Sequence, residues 1–300
     1  MRIIDAHLHM KNHEGFDDLC REAGHENSLS HLTGEFGRLG IRAAVVMGSS
    51  AHEEGEEALC RPGLFNLGGE ARLEPYNYPQ NVFFCAGINP EPVAAGKDPV
   101  PVLANYEEAA RCPNCVGFKV YLGYQPYAPD DPVYRPFYEL ARRYDLTVVF
   151  HTGDTATAGG RLRYSHPLGV DEAAVRFPDV RFVMAHFGNP WLCDAAEVAK
   201  KNPNVFADLS GLAVGKPDAA GFHRRYEGYA AQLKTWLGYL DCYDKVLYGS
   251  DWPLVNLERY LQLIKSFVPE EYWDNVFYQN ALRAFPRMAQ ALAKSEREGE

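Results

Sequence analysis

The chain has 300 residues, of which 46% are hydrophobic and 23% charged, and its formal net charge is −10. This composition is typical of a globular protein, and no apolar run is long enough to span a bilayer. The acidic excess argues against a nucleic-acid surface, which needs clustered lysine and arginine. We therefore expect a cytoplasmic protein with a small-molecule partner and no nucleic-acid or membrane partner, while a homo-oligomer stays open.

Eight short apolar runs recur along the chain, at intervals of roughly thirty to forty residues. In chain order they read RIIDAH, RAAVVMG, NVFFCAGI, VGFKVYL, LTVVFH, RFVMAHF, NVFADLSG and KVLYGSDW. Segments with helical spacing, such as DDPVYRPFYELARRYD, lie between them. Strands that alternate with helices in this number predict a single-domain α/β fold, a (β/α)8 TIM barrel over residues 1–290, followed by a frayed C-terminal tail over 291–300.

Two further features bear on this architecture. A doubly wound open sheet is the alternative, but no G-x-G-x-x-G turn follows the first predicted strand. The stretch from 49 to 80, between the second and third predicted strands, is longer than a normal loop. We therefore expect a long insertion after strand two that includes a lid or a helix.

The first predicted strand ends in two histidines separated by one leucine. In an extended strand, Asp5, His7 and His9 lie on one face. Two imidazoles on one face can hold one metal ion, although a lone His-x-His pair is as often solvated or hydrogen-bonded in a core. Asp5 could orient an imidazole or bond to the backbone of its own strand.

Polar side chains also end four other predicted strands. Lys119 ends the fourth, His151 the fifth, His186 the sixth and Asp251 the eighth. Because active sites of (β/α)8 barrels form where the strands end, we expect these side chains to meet those of His7 and His9 at one mouth.

This ordered set of residues resembles the amidohydrolase superfamily, and in particular its amidohydrolase-related (amidohydrolase 2) branch of metal-dependent TIM-barrel hydrolases and decarboxylases. The resemblance spans nearly the whole chain. It rests on DAHLH, GFKVY, HTG, SHPLGVDEAAVRFPDVRFVMAHFGNPW, NVFADLSG, KVLYGSDWP and YQNALRAF. It implies that the metal ligands are His7, His9, His151 and Asp251, with His186 as a substrate-polarising residue or a ligand to a second ion.

The same resemblance suggests a cofactor and catalytic roles. Imidazoles with one carboxylate suit zinc, or another divalent metal such as manganese. Water activated by the ion would attack a carbonyl group that His186 helps to polarise, while Asp251 takes the proton. The catalytic residues are then Asp251 and His186.

Substrate contacts are expected from residues around the mouth. In some branches of the superfamily a carboxylated lysine on strand four bridges two metals, whereas we expect Lys119 to be an unmodified amine that faces the barrel mouth and contacts substrate or a neighbouring carboxylate. Tyr121 and Leu122 replace the His-Pro pair of many relatives, so contacts at Tyr121 should differ. Arg161 and Arg163, after strand five, could pair with a substrate carboxylate. Tyr121, Tyr124 and Trp252 could each supply an aromatic wall or pack in the core.

These expectations define one function and two alternatives. The first is a metal-dependent hydrolase that cleaves an amide, ester or lactone bond of a small, carboxylated molecule. The second is nonoxidative decarboxylation on the same site. The third is a non-catalytic, metal-dependent binding protein. Serine-based acyl hydrolysis has no support, because the chain has no G-x-S-x-G element.

Overall fold

The computed structural model describes residues 1–10, 14–49 and 79–298 of the chain. Eight parallel strands pair in sequence order within one sheet. They are β1 Ile3–Leu8, β2 Ile41–Met47, β3 Val82–Gly87, β4 Cys115–Val120, β5 Thr147–Phe150, β6 Arg181–Met184, β7 Val205–Asp208 and β8 Val246–Leu247. The eighth strand returns to the first, since the N–H of Ala6 donates to the carbonyl of Tyr248 over 2.9 Å. The predicted (β/α)8 barrel is confirmed.

Helices follow the strands and cover the outside of the barrel. The α-helices are Glu14–Ala23, Leu29–Leu39, Glu91–Ala94, Pro99–Arg111, Arg135–Arg143, Leu162–Ser165, Leu168–Arg176, Leu192–Lys201, Ala219–Arg225, Glu227–Gly238, Leu257–Lys265, Asn280–Ala284 and Pro286–Glu298. Short 3-10 turns occupy Pro132–Tyr134, Ala185–Gly188 and Glu270–Tyr272, and one π turn occupies Asn275–Gln279. Capping side chains fix several helix starts: Ser28, Asp98 and Asn256 each accept a backbone N–H of the first turn. No helix in the described part of the chain has the length and apolarity that crossing a membrane requires.

The core has two layers because the strands are apolar on both faces. One layer packs strand residues such as Phe118 and Phe150 against the helices. The other fills the barrel interior with residues from every strand, and the C-terminal residues Phe285 and Met288 pack against it. Thr147, the first residue of β5, donates its hydroxyl to the carbonyl of Ala284. The C-terminal segment therefore covers the amino ends of the strands, and an active site can form only at their carboxyl ends.

One boundary prediction lies outside the described residues, and another differs from the structure. The predicted insertion after strand two falls mainly on residues 50–78, outside the described residues. The predicted frayed tail is wrong over 291–298, because these residues continue the helix Pro286–Glu298. Half-buried Ala291 and Leu292 pack against the interior layer and give this helix an apolar contact.

Candidate active site

Three of the predicted ligands meet where β1 and β8 end. The ligand atoms of His7, His9 and Asp251 all lie within 4.8 Å of one another. Asp251 Oδ1 is 3.2 Å from His9 Nε2 and 3.6 Å from His7 Nε2. His7 is fully buried, whereas the His9 side chain is 19% exposed. The cluster is therefore enclosed on the His7 side and reachable from the His9 side.

The backbone around this cluster adopts an uncommon conformation. Asp251 has a φ of 61° and His186 a φ of 62°, values in the left-handed region that few residues other than glycine adopt. The N–H of Asp251 donates to the carbonyl of His7 over 2.8 Å, which ties the turn to β1. Gly211 has a φ of 67°, and a Cβ there would lie 2.6 Å from His186 Nδ1. Strained backbone held in place at two polar residues is typical of a functional site.

A buried carboxylate orients His7. Asp208, the last residue of β7, places Oδ2 2.8 Å from His7 Nδ1. Burial raises the pKa of this carboxyl, but the hydrogen bonds from His7 and Ser210 help to hold the pKa well below its usual value. Burial lowers the pKa of His7, so its ring is neutral and has one hydrogen. An ionised carboxylate only accepts, so that hydrogen is on Nδ1 and Nε2 carries a lone pair. Among the described residues, that buried Nε2 has no hydrogen-bond partner. A lone pair left in this way beside Asp251 and His9 fits a metal ion.

A second pair of imidazoles, those of His151 and His186, also brings lone pairs together. Ser210 donates its hydroxyl to Asp208 Oδ1, so Ser210 Oγ accepts from His186 Nδ1 over 2.9 Å. His151 Nε2 donates to the carbonyl of Asp154 over 2.8 Å. The remaining nitrogens, His186 Nε2 and His151 Nδ1, are 3.2 Å apart, and in the neutral rings both carry lone pairs. Such an arrangement needs a proton or a cation between the two rings.

Protonation does not readily satisfy these two rings. Burial is the largest cause that lowers the pKa of both histidines, to about 4 for His186 and well below the usual value for His151. At neutral pH both imidazoles are therefore neutral. The donor set of this region, imidazole nitrogens with one carboxylate, is the set that zinc and manganese bind. His151 contacts His186 and lies outside the three-residue cluster, so its role as a ligand stays a prediction.

Asp208 and Ser210 were not among the site residues predicted from the sequence. The only signal was an acidic residue at the end of the seventh predicted strand, NVFADLSG, where no role was assigned. Asp5, by contrast, has no hydrogen bond to an imidazole among the described residues: its Oδ1 accepts from the backbone N–H groups of Ser250, over 2.9 Å, and His7, over 3.3 Å. Of its two expected roles, Asp5 therefore has the backbone one, and Asp208 orients His7.

Lys119 lies inside the barrel at the end of β4. The residue is 1% exposed, and its Nζ has no hydrogen-bond partner among the described residues. Burial lowers its pKa to about 8, an effect that the charges of Asp208 and Asp251 only partly offset. The Nζ is 5.4 Å from the ring of Tyr121, whose hydroxyl donates to the carbonyl of Gly48. The structure thus brings Lys119 and Tyr121 together, and places Lys119 where the charges of Asp208 and Asp251 act on it.

The predicted arginines lie elsewhere. Arg161 and Arg163 are exposed, and the guanidinium of Arg163 stacks on the ring of Tyr164, 4.4 Å from its centroid. Their substrate role stays a prediction. Of the two roles open to Trp252, the structure favours packing, because the residue is fully buried in the layer between strands and helices. The centroid of the Tyr124 ring lies 5.0 Å from that of the His151 ring, so Tyr124 is an aromatic neighbour of His151.

Comparison with known proteins gives one family match. The family model described as Amidohydrolase matches residues 78–287. It covers β3 to β8 and therefore includes Lys119, His151, His186 and Asp251. No curated protein matches the chain in sequence.

Solved structures with the same fold are distant in sequence. A probable 2-pyrone-4,6-dicarboxylic acid hydrolase from Acinetobacter baumannii, with citric acid bound, is 14% identical with a TM-score of 0.60, over 95% of this chain and 100% of that chain. An amidohydrolase from Burkholderia multivorans with bound zinc is 14% identical with a TM-score of 0.60, over 95% and 99%. A 5-carboxyvanillate decarboxylase from Novosphingobium aromaticivorans, complexed with manganese and a nitrobenzoic acid, is 12% identical with a TM-score of 0.61, over 95% and 96%. At such identities the likeness shows the barrel fold alone.

Proposed function

Because the chain belongs to the amidohydrolase family, we propose that it is a metal-dependent hydrolase that cleaves an amide, ester or lactone bond of a small, carboxylated substrate. One observation carries the proposal. His7 Nε2 is a buried lone pair without a partner among the described residues, and it faces Asp251 and His9, which can complete a metal site. A small molecule is the only partner that the proposal requires.

The residues that would hold the ion are His7, His9 and Asp251, with His151 as the fourth ligand. Zinc or manganese fits this set, and the similar folds include one with bound zinc and one with manganese. When bound, a divalent ion supplies the Lewis acidity that makes water a nucleophile near neutral pH.

Asp251 is the residue that can accept the proton of the nucleophile. Burial raises the pKa of its carboxyl, but the hydrogen bond of His9, the largest of the opposing effects, helps to hold the pKa well below its usual value. The carboxylate is therefore ionised at neutral pH. Since Oδ1 faces both imidazoles of β1, Oδ2 is the oxygen left for proton transfer.

The tautomer of His186 restricts its role. Its Nδ1 donates to Ser210, so Nε2 can accept a proton or bind an ion but has no hydrogen to donate to a carbonyl oxygen. His186 therefore fits a ligand or proton-accepting role better than a polarising role. The chain of contacts from His7 through Asp208 and Ser210 to His186 holds both rings in these tautomers.

Decarboxylation is the second candidate, since one of the similar folds is a decarboxylase with a carboxylated aromatic substrate. A panel of carboxylated esters, lactones, amides and hydroxybenzoates separates the two reactions. Acid release without carbon dioxide supports hydrolysis, whereas carbon dioxide release supports decarboxylation. Stripping the protein with a chelator should stop turnover, and adding zinc or manganese should restore it. Binding of the panel without turnover by metal-loaded protein would favour a non-catalytic binding protein instead.

A further inference from the structure

The clearest feature that the proposed chemistry does not use is the amine of Lys119. It pairs in register with Gly87 of β3 and Val149 of β5, so it lies within the barrel wall and not on a loop. The residue is 1% exposed, and Nζ has no hydrogen-bond partner among the described residues. A buried ammonium without an acceptor is costly, and folded proteins rarely keep one without a reason.

The two carboxylates whose charges act on Lys119 already have other partners. Asp208 accepts from His7, Ser210 and the backbone N–H of His186. Asp251 contacts His7 and His9. Both attract Lys119 through space, but neither is within hydrogen-bond distance of its Nζ. The acceptor that Lys119 lacks must therefore come from outside the described residues.

We propose that Lys119 Nζ is the receptor for the carboxylate group of the substrate. The inference rests on the proposed function for the position of the reacting bond, and it adds the group that the substrate must carry. It also moves carboxylate recognition from Arg161 and Arg163, which are exposed, to a buried amine beside the metal cluster.

Charge balance favours a monoanion such as a carboxylate. The two aspartates that act on Lys119 cancel the charge of a divalent ion, and the Cys85 thiol is neutral because burial raises its pKa well above the usual value. Lys119 then carries the one positive charge among these groups that has no counterpart. A single carboxylate neutralises it, whereas a phosphate dianion would leave an excess negative charge in a buried site.

The geometry also favours a flat carboxylate-bearing group. Nζ is 5.4 Å from the Tyr121 ring, and the hydrogen bond from Tyr121 to Gly48 holds that ring in place. A planar acid can lie along the ring while its carboxylate reaches the amine. Benzoate is therefore a suitable probe, and benzamide is its uncharged match.

The test measures binding of benzoate and benzamide by calorimetry, on zinc-loaded and on chelator-treated protein. Lys119→Met keeps the length and burial of the side chain and removes the charge. We expect it to weaken benzoate binding about 10- to 100-fold, as loss of a charged hydrogen bond does, with benzamide unaffected. Lys97→Met, at an exposed lysine, is the control that should bind both probes like the wild type. Lys119→Gln keeps a donor without the charge and should show the same loss if the Met variant folds poorly.

Two results would overturn the inference. One is unchanged benzoate binding in both Lys119 variants. The other is a carbamate signal at Lys119 by 13C NMR in bicarbonate, since a carboxylated lysine is an anion and would repel the probe. Failure of the proposed function looks different: the zinc-loaded protein would show no turnover on the panel, while its benzoate binding would still depend on Lys119.

Discussion

Substituting Asp208 with asparagine isolates the orientation of His7. Asparagine keeps the shape of the side chain, and its carbonyl oxygen can still accept from Ser210 and from the backbone N–H of His186, as Oδ1 does now. Its NH2 group then takes the place of Oδ2, 2.8 Å from His7 Nδ1. Two donors would face each other there. His7 must therefore move its proton from Nδ1 to Nε2, the atom that faces Asp251 and His9.

The expected cost follows from this change of tautomer. A ligand nitrogen that carries a hydrogen has no lone pair for a metal, and loss of a partner that orients a metal-binding histidine costs about 10- to 100-fold in affinity, or about 1.4–2.7 kcal/mol. The fold should be retained, because the other contacts of Asp208 have an acceptor in the variant. Zinc competition with a coloured chelator measures the affinity, and circular dichroism measures the fold.

A second Asp–His contact in the protein provides the control. Asp194 Oδ2 lies 3.5 Å from His166 Nε2, on a helix away from the strand ends. Asp194→Asn should leave zinc affinity unchanged. Wild-type zinc affinity in Asp208→Asn would refute the assignment of the His7 tautomer and the role given to Asp208.

Three further outcomes are expected. Gly211→Ala should slow turnover, because the added Cβ would lie 2.6 Å from His186 Nδ1. Gly215→Ala is the control, since Gly215 has a similar φ and a Cβ there would meet no atom of the described residues within 4 Å, and its steady-state kinetics should match those of the wild type. Asp251→Asn should reduce the turnover number by about 10²- to 10⁴-fold, the range for losing a positioned base, and near wild-type turnover would contradict the proton-accepting role. Lys119→Met should raise the unfolding free energy of metal-free protein in urea by about 1–3 kcal/mol, because a buried donor without a partner is removed; a lower value would show that the amine is satisfied in the fold.

The barrel was predictable from the sequence because its signals are local. Each strand is a short apolar run, and each is separated from the next by a helical segment or a loop, so periodicity alone gives the order of elements. The strand ends carry His7, His151, His186 and Asp251, and the rule that barrel sites form at those ends places them at one mouth. The helix over 291–298 was missed because its charged residues suggest a tail, while its contact depends on Ala291 and Leu292 packing across the barrel.

Contacts between distant parts of the chain were not predictable in the same way. Asp208 and His7 are 201 residues apart, and nothing in NVFADLSG names the partner of its aspartate. The predicted alternation of side chains along β1 placed Asp5 on the same face as His7 and His9, but it did not show that Asp5 bonds to the backbone. The register between β1 and β2 shifts twice, once after Ile3 and once after Asp5, so the simple period of two does not hold along this strand. Which nitrogen of each histidine carries the proton follows only from its partners in space.

The metal content of the protein, purified without chelator and measured by inductively coupled plasma mass spectrometry, tests the central claim most directly. The account predicts about one zinc or manganese ion per wild-type chain, and a near-complete loss in His7→Ala, with His223→Ala, at a histidine bonded to Ser266 outside the cluster, unchanged. A wild-type protein that holds no divalent metal and does not take up zinc or manganese on titration would contradict it.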